Sequence, residues 1–495
     1  MTPVETLTLV SYFFVLIILA VYGWHRYYLV YLYMRNRDRE PIAGPPLDPT
    51  PIVTIQLPLY NEMYVADRLI EAVCRIEYPR DRLEIQVLDD STDETRGIAE
   101  LAARRLAAEG VDIKYQHRAD RHGYKAGALE AGLRTARGEF VAIFDADFIP
   151  PRDFLTRLMP HFGDPGVGMV QARWGHINQD YSLLTKIQSI LLDGHFVLEH
   201  GGRNRSGLFF NFNGTAGVWR RAAIDEAGGW QHDTLTEDLD LSYRAQLIGW
   251  RFVFLSDVIA PAEVPVEMNA FKSQQHRWAK GSIQTCRKLL PRILAAKLPL
   301  AVKVEAFFHL TANFNYILMC VLSVLMFPSM VIRYNMGWYE MMLIDVPLFM
   351  GATLSVCSFY LTSQREVFPD SWTTRLKYLP AVLSMGIGLS VNNAKAVLEA
   401  LFGHESEFTR TPKYAVERAS DEWKQKRYRG GVNFVPFVEL GLGVYFTYMA
   451  LYAATNGIFG TLPFIILFQF GFLYTGVLSL SQNLGKLGVV REQEA

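Results

Sequence analysis

The sequence predicts an α/β domain followed by an α-helical membrane region. Two observations lead to this fold class. Short apolar stretches alternate with helical stretches between residues 52 and 144, and long stretches without Asp, Glu, Lys or Arg recur after about residue 300. The composition agrees, because 50% of the 495 residues are hydrophobic and 20% are charged, whereas a soluble enzyme of this size is usually more polar.

The N-terminal segment predicts a membrane helix. No Asp, Glu, Lys or Arg occurs from Thr6 to His25, and that length suits a span. A cleaved signal peptide is disfavoured because its start is basic, whereas the only early charged side chain here is Glu5. The basic and aromatic stretch from His25 to Arg39 fits a cytoplasmic membrane interface. We assign residues 1–40 to this helix and its basic flank.

Residues 41–295 predict the α/β domain. A proline-rich linker at 40–51 precedes an alternation of strands and helices, which implies a doubly wound parallel sheet. Such sheets bind ligands beyond the carboxyl ends of their strands. The predicted strands are 52–57, 83–88, 111–116 and 140–144, and the predicted helices are 62–76, 93–109 and 124–136.

Residues 296–495 predict the membrane region. The second half of 379–403 carries Asn392, Lys395 and Glu399, which suits an amphipathic interfacial helix. An interfacial placement keeps the charged segment 404–432 on the same side as the α/β domain and leaves five predicted spans. Besides the N-terminal stretch, the stretches without Asp, Glu, Lys or Arg lie between residues 305 and 333, 345 and 365, 377 and 395, and 439 and 486, the last long enough for two spans.

Charge and cysteine content exclude some classes of protein. A formal net charge of −1 gives no indication of a nucleic-acid partner. The four cysteines have no metal-ligand spacing, and we expect free thiols and a reducing compartment for the α/β domain. They are Cys74, Cys286, Cys320 and Cys357.

Acidic residues close two of the predicted strands. Asp145 and Asp147 follow strand 140–144 at a spacing that points both side chains to the same side. They would repel each other without a cation, and carboxylate oxygens suit Mg²⁺ or Mn²⁺ with substrate phosphates completing the shell. The alternative is a solvated acidic loop, which the preceding apolar strand disfavours. Asp89-Asp90 closes strand 83–88 and either contacts a ribose or base, or caps the next helix.

A third acidic segment begins a predicted helix. Thr236 and the acids Glu237 and Asp238 can simply cap that helix and favour its first turn. The functional interpretation makes Asp238 a general base. A sugar hydroxyl is a poor nucleophile, and a carboxylate within hydrogen-bond reach can take its proton as the hydroxyl attacks.

Basic and aromatic residues complete the candidate site. Arg277 offers a fork of donors that suits phosphate oxygens, and Gln274 precedes it by one helical turn. Trp278 can stack on a sugar or anchor at the membrane interface. Lys125 begins a predicted helix and either meets a phosphate or is a solvated surface lysine.

In their order, these residues resemble the processive branch of family 2 glycosyltransferases, which includes cellulose, chitin, hyaluronan and mannan synthases. The amino-acid sequences of the individual motifs are most similar to those of plant cellulose-synthase-like mannan and glucan synthases, types A and C. The order of the motifs is also similar to that of bacterial cellulose synthase catalytic subunits. The resemblance covers roughly residues 50–290. It is carried by Pro58-Leu59-Tyr60-Asn61-Glu62, Asp89-Asp90, Gly123-Tyr124-Lys125-Ala126-Gly127, Asp145-Ala146-Asp147, Phe212-Asn213-Gly214-Thr215, Thr236-Glu237-Asp238 and Gln274-x-x-Arg277-Trp278.

The resemblance implies a GT-A (Rossmann-like) fold and inversion at the anomeric carbon. It also implies a role for each candidate residue. Tyr60, Glu62 and Asp90 would hold the nucleotide, Asp145 and Asp147 would bind the diphosphate through Mg²⁺ or Mn²⁺, and Lys125 would approach the diphosphate or donor sugar. Asp238 would be the base, beside Thr236 and Glu237; Gln274, Arg277 and Trp278 would line the donor–acceptor junction; Asn213, Gly214 and Thr215 would lie near the acceptor end.

One further match lies between membrane segments. Residues 408–413, Phe-Thr-Arg-Thr-Pro-Lys, look like the gating loop of cellulose synthases, which reads F-x-V-T-x-K. Arg410 stands where that pattern has valine. The resemblance implies that Thr411 and Lys413 close over the bound nucleotide.

The predicted function is therefore an inverting, processive β-glycosyltransferase in the inner cell membrane, with its catalytic domain in the cytoplasm. It would polymerise hexose from UDP-glucose or GDP-mannose into a β-glucan or mannan and pass the growing glycan through its own membrane channel, in contact with membrane lipids. The alternative enzyme is a non-processive glycolipid synthase that transfers one hexose to a lipid such as ceramide or diacylglycerol. A scaffold with an inactive transferase domain is disfavoured because every acid of the pattern is retained. Donor, linkage and auxiliary subunits stay open at this point.

Overall fold

The structure is a computed structural model that describes residues 1–337, 342–404, 410–418, 420–423, 426 and 434–493. Its strands are β1 Val53–Leu59, β2 Leu83–Asp89, β3 Ile113–His117, β4 Phe140–Ile143, β5 Val167–His176, β6 Gly217–Arg220 and β7 Arg251–Ala262. Its helices are α1 Pro3–Asn36, α2 Ala66–Cys74, α3 Thr95–Ala108, α4 Tyr124–Thr135, α5 Phe154–Leu158, α6 Leu183–Gly194, α7 Gly201–Arg205, α8 Arg221–Glu226, α9 Glu237–Leu247, α10 Met268–Ala295, α11 Leu300–Thr311, α12 Asn315–Asn335, α13 Met342–Val367, α14 Leu379–Gly388, α15 Ser390–Leu401, α16 Val435–Thr455 and α17 Leu462–Gln493.

The strands form one seven-stranded sheet of GT-A type, in the order β3-β2-β1-β4-β6-β5-β7. The first four strands are parallel, as the sequence predicts. The prediction of a parallel sheet is wrong for β6, which runs antiparallel to both β4 and β5. The chain leaves β5 at the carboxyl edge and re-enters the sheet at Gly217, opposite Ile143, which is the carboxyl end of β4. A strand that starts at that edge has to run the other way.

Apolar strand residues bury the sheet on both faces. Side chains of β1 such as Val53, Ile55 and Leu57 are fully buried in one cluster with α2 and α3. Val141 and Ile143 of β4 point to the other face, in a second cluster with α4 and α9. Period-two alternation therefore fills both layers, which makes the sheet a rigid base for the segments that follow its strands.

The loop after β1 departs from the predicted helix 62–76. Helix α2 begins only at Ala66, because Asn61 has a positive φ of 54° and the chain turns before it can become helical. The amide of Asn61 donates to Oγ of Ser91, which ties this turn to the segment after β2. Tyr60 and Glu62 consequently lie in a loop at the carboxyl edge of the sheet.

In the part of the chain that the structure describes, five helical segments have the length and hydropathy of membrane spans. One of them, Trp372–Leu401, contains the segment predicted to be interfacial, and 67% of its most apolar window is buried inside the protein, against 28–39% in the other four. Its two helices pack on α10 and α17. The interfacial placement and the choice of the five spans stay predictions. The other four segments are Pro3–Asn36, Leu300–Asn335, Val435–Thr455 and Phe459–Gln482.

Candidate active site

A cleft of about 1240 Å³, open to solvent, lies at the carboxyl edge of the sheet. Loops after β1, β2 and β4, the start of α9, the middle of α10 and the segment 410–413 all contribute to it. Every site residue predicted from the sequence lines the cleft, except Thr215: these are Tyr60, Glu62, Asp90, Lys125, Asp145, Asp147, Asn213, Gly214, Thr236, Glu237, Asp238, Gln274, Arg277, Trp278, Thr411 and Lys413.

Each acid of the pair after β4 is bonded to a different lysine. Nζ of Lys125 lies 2.5 Å from Oδ1 of Asp145 and also donates to the carbonyl of Gly214 at 2.9 Å. Nζ of Lys413 lies 2.6 Å from Oδ2 of Asp147. Burial by itself lowers the pKa of the Lys125 ammonium, but the negative charges of Asp145, Glu237 and Asp238 together outweigh it and the pKa is raised. The cleft therefore holds two lysine–carboxylate ion pairs.

The oxygen ligands at this point suit a hard divalent cation. Among the described residues, no three His, Cys, Asp or Glu side chains are arranged as a metal site. Asp145 and Asp147 supply two carboxylates here. Mg²⁺ and similar ions commonly bind through one or two carboxylates together with phosphates and water, whereas zinc requires three or four protein ligands. The residues present thus fit Mg²⁺ or Mn²⁺ bound with a diphosphate.

The loop after β1 supplies an aromatic ring and an acid to the cleft. The guanidinium of Arg121 lies 3.3 Å from the centre of the Tyr60 ring, which is a cation–π contact. Burial, reinforced by Asp147 and Asp145, raises the pKa of Glu62 to about 7, against the opposing effect of Arg410. Nη1 of Arg410 is 3.6 Å from Oε1 of Glu62.

The two acids after β2 have different partners. Arg118 donates to Asp90 through a fork, with Nε 2.8 Å from Oδ1 and Nη2 2.5 Å from Oδ2. Asp89 is buried and receives hydrogen bonds from the Tyr115 hydroxyl and from the amide of Ser91. Asp89 is thus structural and Asp90 faces the cleft. The alternative in which Asp90 caps α3 is not observed, since that helix has no side-chain cap.

Asp238 lies in the first turn of α9 and lines the cleft beside Gly214. Its Oδ1 accepts the amide of Leu239 at 2.8 Å, and its Oδ2 is so close to Gly214 that a Cβ there would come within 3.0 Å. Burial and the neighbouring Glu237 raise the pKa of Asp238 to about 7, although Lys125 opposes them. A carboxylate with that pKa is poised to exchange a proton near neutral pH.

The segment Asn213-Gly214-Thr215 lies against both Lys125 and Asp238. Gly214 has a φ of 79°, a conformation that favours glycine, and its carbonyl accepts from Lys125. Thr215 is buried behind the cleft, where its Oγ1 accepts the backbone amide of Asp145 at 2.9 Å. It supports the acidic pair from behind, and only Asn213 and Gly214 face the cleft.

Gln274, Arg277 and Trp278 occupy one stretch of the long helix α10. Other residues in and just after this stretch contact helix α15. Glu399 of α15 lies 3.2 Å from His276 and 3.1 Å from Lys280. One face of α10 therefore forms the wall of the cleft while another is clamped to α15 by charge.

The segment 410–418 crosses over the cleft. Lys413 donates to the carbonyl of Glu263 as well as to Asp147, and the amide and hydroxyl of Tyr414 donate to Glu263 and Glu267. Oγ1 of Thr411 is buried and has no hydrogen-bond partner within the described parts of the chain. Phe408 and Thr409, the first residues of the proposed gating loop, lie outside the described residues.

Sequence reasoning missed several residues that line the cleft, among them Arg121, Trp174, His176 and Glu263. Trp174 and His176 end β5, the first strand beyond those predicted, and His176 is bonded to Asp193 at 3.1 Å. Both would have been predicted if β5 had been recognised, because ligands bind at the carboxyl ends of the strands in such a sheet. No sequence signal marks Arg121 or Glu263, because their places in the cleft depend on loop conformations.

Comparison with known proteins agrees with this geometry. Residues 49–281 match the model described as glycosyltransferase like family 2. Glucomannan 4-beta-mannosyltransferase 2 of Arabidopsis thaliana is 47% identical over 252 residues, covering 50% of this chain and 47% of that protein. Probable glucomannan 4-beta-mannosyltransferase 4 of Oryza sativa subsp. japonica is 43% identical over 282 residues, covering 56% of this chain and 51% of that protein. The chain thus spans about half the length of the curated relatives it matches.

A solved structure shares the fold. The mannosyltransferase PcManGT from Pyrobaculum calidifontis, in complex with GDP-Man and Mn²⁺, superposes with a TM-score of 0.54 at 23% identity. The alignment covers 79% of this chain and 99% of that one. Within the described residues, five helical segments are long and apolar enough to cross a membrane, and the likeness to PcManGT shows a fold of GT-A type for the α/β domain.

Proposed function

We propose that the chain transfers mannose from GDP-mannose to a growing β-linked polysaccharide, because residues 49–281 match the model described as glycosyltransferase like family 2. The observation that carries the proposal is one cleft that places a group suited to a diphosphate next to a candidate base. Asp145, Asp147 and Lys125 form the donor end, and the partly buried carboxylate of Asp238 lies beside it, since Nζ of Lys125 and Oδ2 of Asp238 both approach Gly214. The names of the plant relatives and the GDP-Man in PcManGT favour mannose over the UDP-glucose that the sequence leaves open.

The donor end would bind the nucleotide sugar in an extended pose. Tyr60 supplies a ring face for the base, while Glu62 and Asp90 supply acceptors for base or ribose hydroxyl groups. Lys125 and Arg277 bring positive charge to the diphosphate, where charged hydrogen bonds are strong. Thr411, whose hydroxyl has no partner among the described residues, and Lys413 would cover the nucleotide once it is bound.

Asp145 and Asp147 would hold Mg²⁺ or Mn²⁺ together with the diphosphate. The metal would balance the charge that develops on the leaving nucleoside diphosphate. Lys413 contacts Asp147 and Lys125 contacts Asp145. Both lysines therefore add positive charge, besides that of the metal, at the two carboxylates that would hold it.

Asp238 would act as the general base. A hydroxyl of the acceptor sugar gives its proton to an Asp238 carboxylate oxygen as its own oxygen forms a bond to the anomeric carbon. The bond from that carbon to the diphosphate oxygen breaks, and its electron pair leaves with the diphosphate. One displacement inverts the anomeric carbon, which converts an α-linked donor into a β-linked product. Glu237 raises the pKa of this base, and Lys125 lowers it.

The membrane helices would carry the product away from the cleft. We place the catalytic domain in the cytoplasm and the helices in the inner cell membrane, because the basic flank of α1 follows the first span. The clamp of Glu399 on α10 fixes the cleft above the helices. A processive enzyme needs this fixed alignment, since each extended chain must advance without leaving the site.

A screen of nucleotide sugars tests the proposal. Purified protein in detergent is given GDP-mannose or UDP-glucose, each with Mn²⁺, Mg²⁺ or EDTA, and the product is analysed for size and linkage. We expect a metal-dependent polymer of β-linked mannose that resists lipid extraction. A single hexose on an extractable lipid would replace the polymer synthase with the glycolipid synthase, and no turnover of any nucleotide sugar would overturn the transferase.

A further inference from the structure

A histidine outside the cleft is bonded to a residue that lines it. Nε2 of His195 lies 2.9 Å from Nδ2 of Asn213, whose backbone follows the helical segment 195–205. His195 begins a single π-helical turn, His195–His200, inserted between α6 and α7. Turns of this kind are rare, and they recur at functional sites because they redirect side chains.

Glu199 determines which nitrogen of His195 carries the proton. Its Oε2 lies 2.7 Å from Nδ1 of His195. Burial opposes ionisation of Glu199, but Arg203 and His195 outweigh it and hold the pKa of the carboxyl well below its ordinary value. An ionised carboxylate can only accept hydrogen bonds. Nδ1 of His195 must therefore donate, and in the neutral ring Nε2 is a bare acceptor.

This tautomer orients the amide of Asn213. A bare Nε2 accepts from the NH₂ group of Asn213 and would repel its carbonyl oxygen, so Nδ2 faces the histidine and Oδ1 faces away. Within the described residues, Oδ1 of Asn213 is buried and has no hydrogen-bond partner. A buried acceptor without a partner costs free energy unless a ligand donates to it. Asn213 lines the same cleft as Asp238.

The pair is anchored deep in the molecule. Arg203 lies 3.5 Å from Glu199 and 2.8 Å from Glu305 of α11, and Glu305 in turn is 2.8 Å from His25 of α1. The side chains of Arg203 and Glu305 are each 2% exposed. Buried pairs of this kind are geometrically restrictive, because displacing one partner leaves an uncompensated charge.

We propose that His195, held in one tautomer by Glu199, is a positioning residue that presents Oδ1 of Asn213 to a hydroxyl of the acceptor sugar. This inference rests on the proposed function and adds a specific device to it. It assigns the π-helical turn the task of orienting the acceptor through the side chain of Asn213, whereas the donor end is held by other groups, the carbonyl of Gly214 and the hydroxyl of Thr215.

Two transfer rates distinguish a role of His195 in positioning the acceptor from a general role in the stability of the active site. With GDP-mannose, release of GDP in the absence of an acceptor measures transfer to water, and labelling of a soluble manno-oligosaccharide measures transfer to sugar. For His195→Phe we expect transfer to sugar to fall about 10-fold to 100-fold, as for other misplaced substrates, with transfer to water close to wild type. His195→Gln, whose side-chain oxygen can still accept from Asn213, should recover most of the loss.

A double-mutant cycle completes the test. If His195 acts through Asn213, then His195→Phe combined with Asn213→Ala transfers to sugar no more slowly than Asn213→Ala alone. The positioning role is overturned if His195→Phe transfers normally, if both of its rates fall together, if His195→Gln gives no recovery, or if the two effects multiply. Absence of wild-type turnover with any nucleotide sugar would instead overturn the proposed function, and this inference with it.

Discussion

Nζ of Lys413 lies 2.6 Å from Oδ2 of Asp147, although 265 residues of chain separate them. Lys413 belongs to the segment between α15 and α16, and Asp147 follows the central strand β4 of the sheet. The same lysine donates to the carbonyl of Glu263. Asp147, which we propose to hold a metal, is therefore already bonded to the ammonium group of Lys413. Any ion that binds there competes with this lysine or shares the carboxylate with it.

Lys413→Ala should strengthen binding of Mn²⁺ in the absence of nucleotide. The substitution removes a competing cation from Asp147, and a charged hydrogen bond of this type corresponds to about 10-fold in affinity. The same variant should bind the nucleotide sugar more weakly, because it loses the contact over the nucleotide. Electron paramagnetic resonance of free Mn²⁺ measures the first effect.

A surface lysine gives the matched control. Lys395 is 50% exposed and lies 3.9 Å from Glu399. Lys395→Ala should leave the affinity for Mn²⁺ unchanged. Equal affinities in Lys413→Ala and wild-type protein would show that the ion does not use Asp147.

Asp238→Asn should abolish transfer while leaving nucleotide binding intact. Asparagine preserves the shape of the side chain but cannot take a proton, and loss of a general base typically costs about 10²-fold to 10⁴-fold in rate. Two quantities are measured, kcat for sugar transfer and Kd for the nucleoside diphosphate. Asp225→Asn, at an exposed aspartate of α8, is the control. Turnover near wild type in Asp238→Asn would exclude this residue as the base.

The rate should fall in acid because Asp238 must be ionised to work. Its pKa is raised to about 7 by burial and Glu237, so the group becomes protonated as the pH falls through that value and the base is lost. We expect kcat/KM to decrease about 10-fold for each pH unit on the acidic limb. Glu237→Gln removes the neighbouring negative charge, which should shift this limb to lower pH. A limb that stays in place or moves upward would contradict the assignment.

A buried ion pair should fix the cleft helix to the membrane helices. Nζ of Lys272 in α10 lies 2.5 Å from Oε2 of Glu439 in α16, and both side chains are buried. Glu439→Leu leaves the lysine charge unpaired, and removal of one partner of such a pair costs about 3–5 kcal/mol. The double variant Lys272→Met with Glu439→Leu should be much more stable than this single variant. Thermal unfolding in detergent compares them, and equal melting temperatures would show that the pair contributes little.

The first four strands and their order along the chain follow from the sequence because their signals are local. Period-two alternation and apolar content identify β1, β2 and β4 without any long-range information. The helix after β1 is misplaced by four residues at its start, because the positive φ of Asn61 has no distinct sequence signature. The antiparallel β6 is also missed, since the direction of a strand depends on the edge at which its connection ends.

The candidate site divides in the same way. The sequence by itself predicted most of the charged residues that line the cleft but missed Arg121 and Glu263. Strand ends, helix starts and the Gln274-x-x-Arg277-Trp278 pattern each mark a chemical group at a known edge of the fold. Only the tertiary structure decided the partners: Lys413 on Asp147, Arg121 on Tyr60, and His195 on Asn213. Those contacts join residues far apart in the chain, and their geometry depends on side-chain packing that no local pattern records.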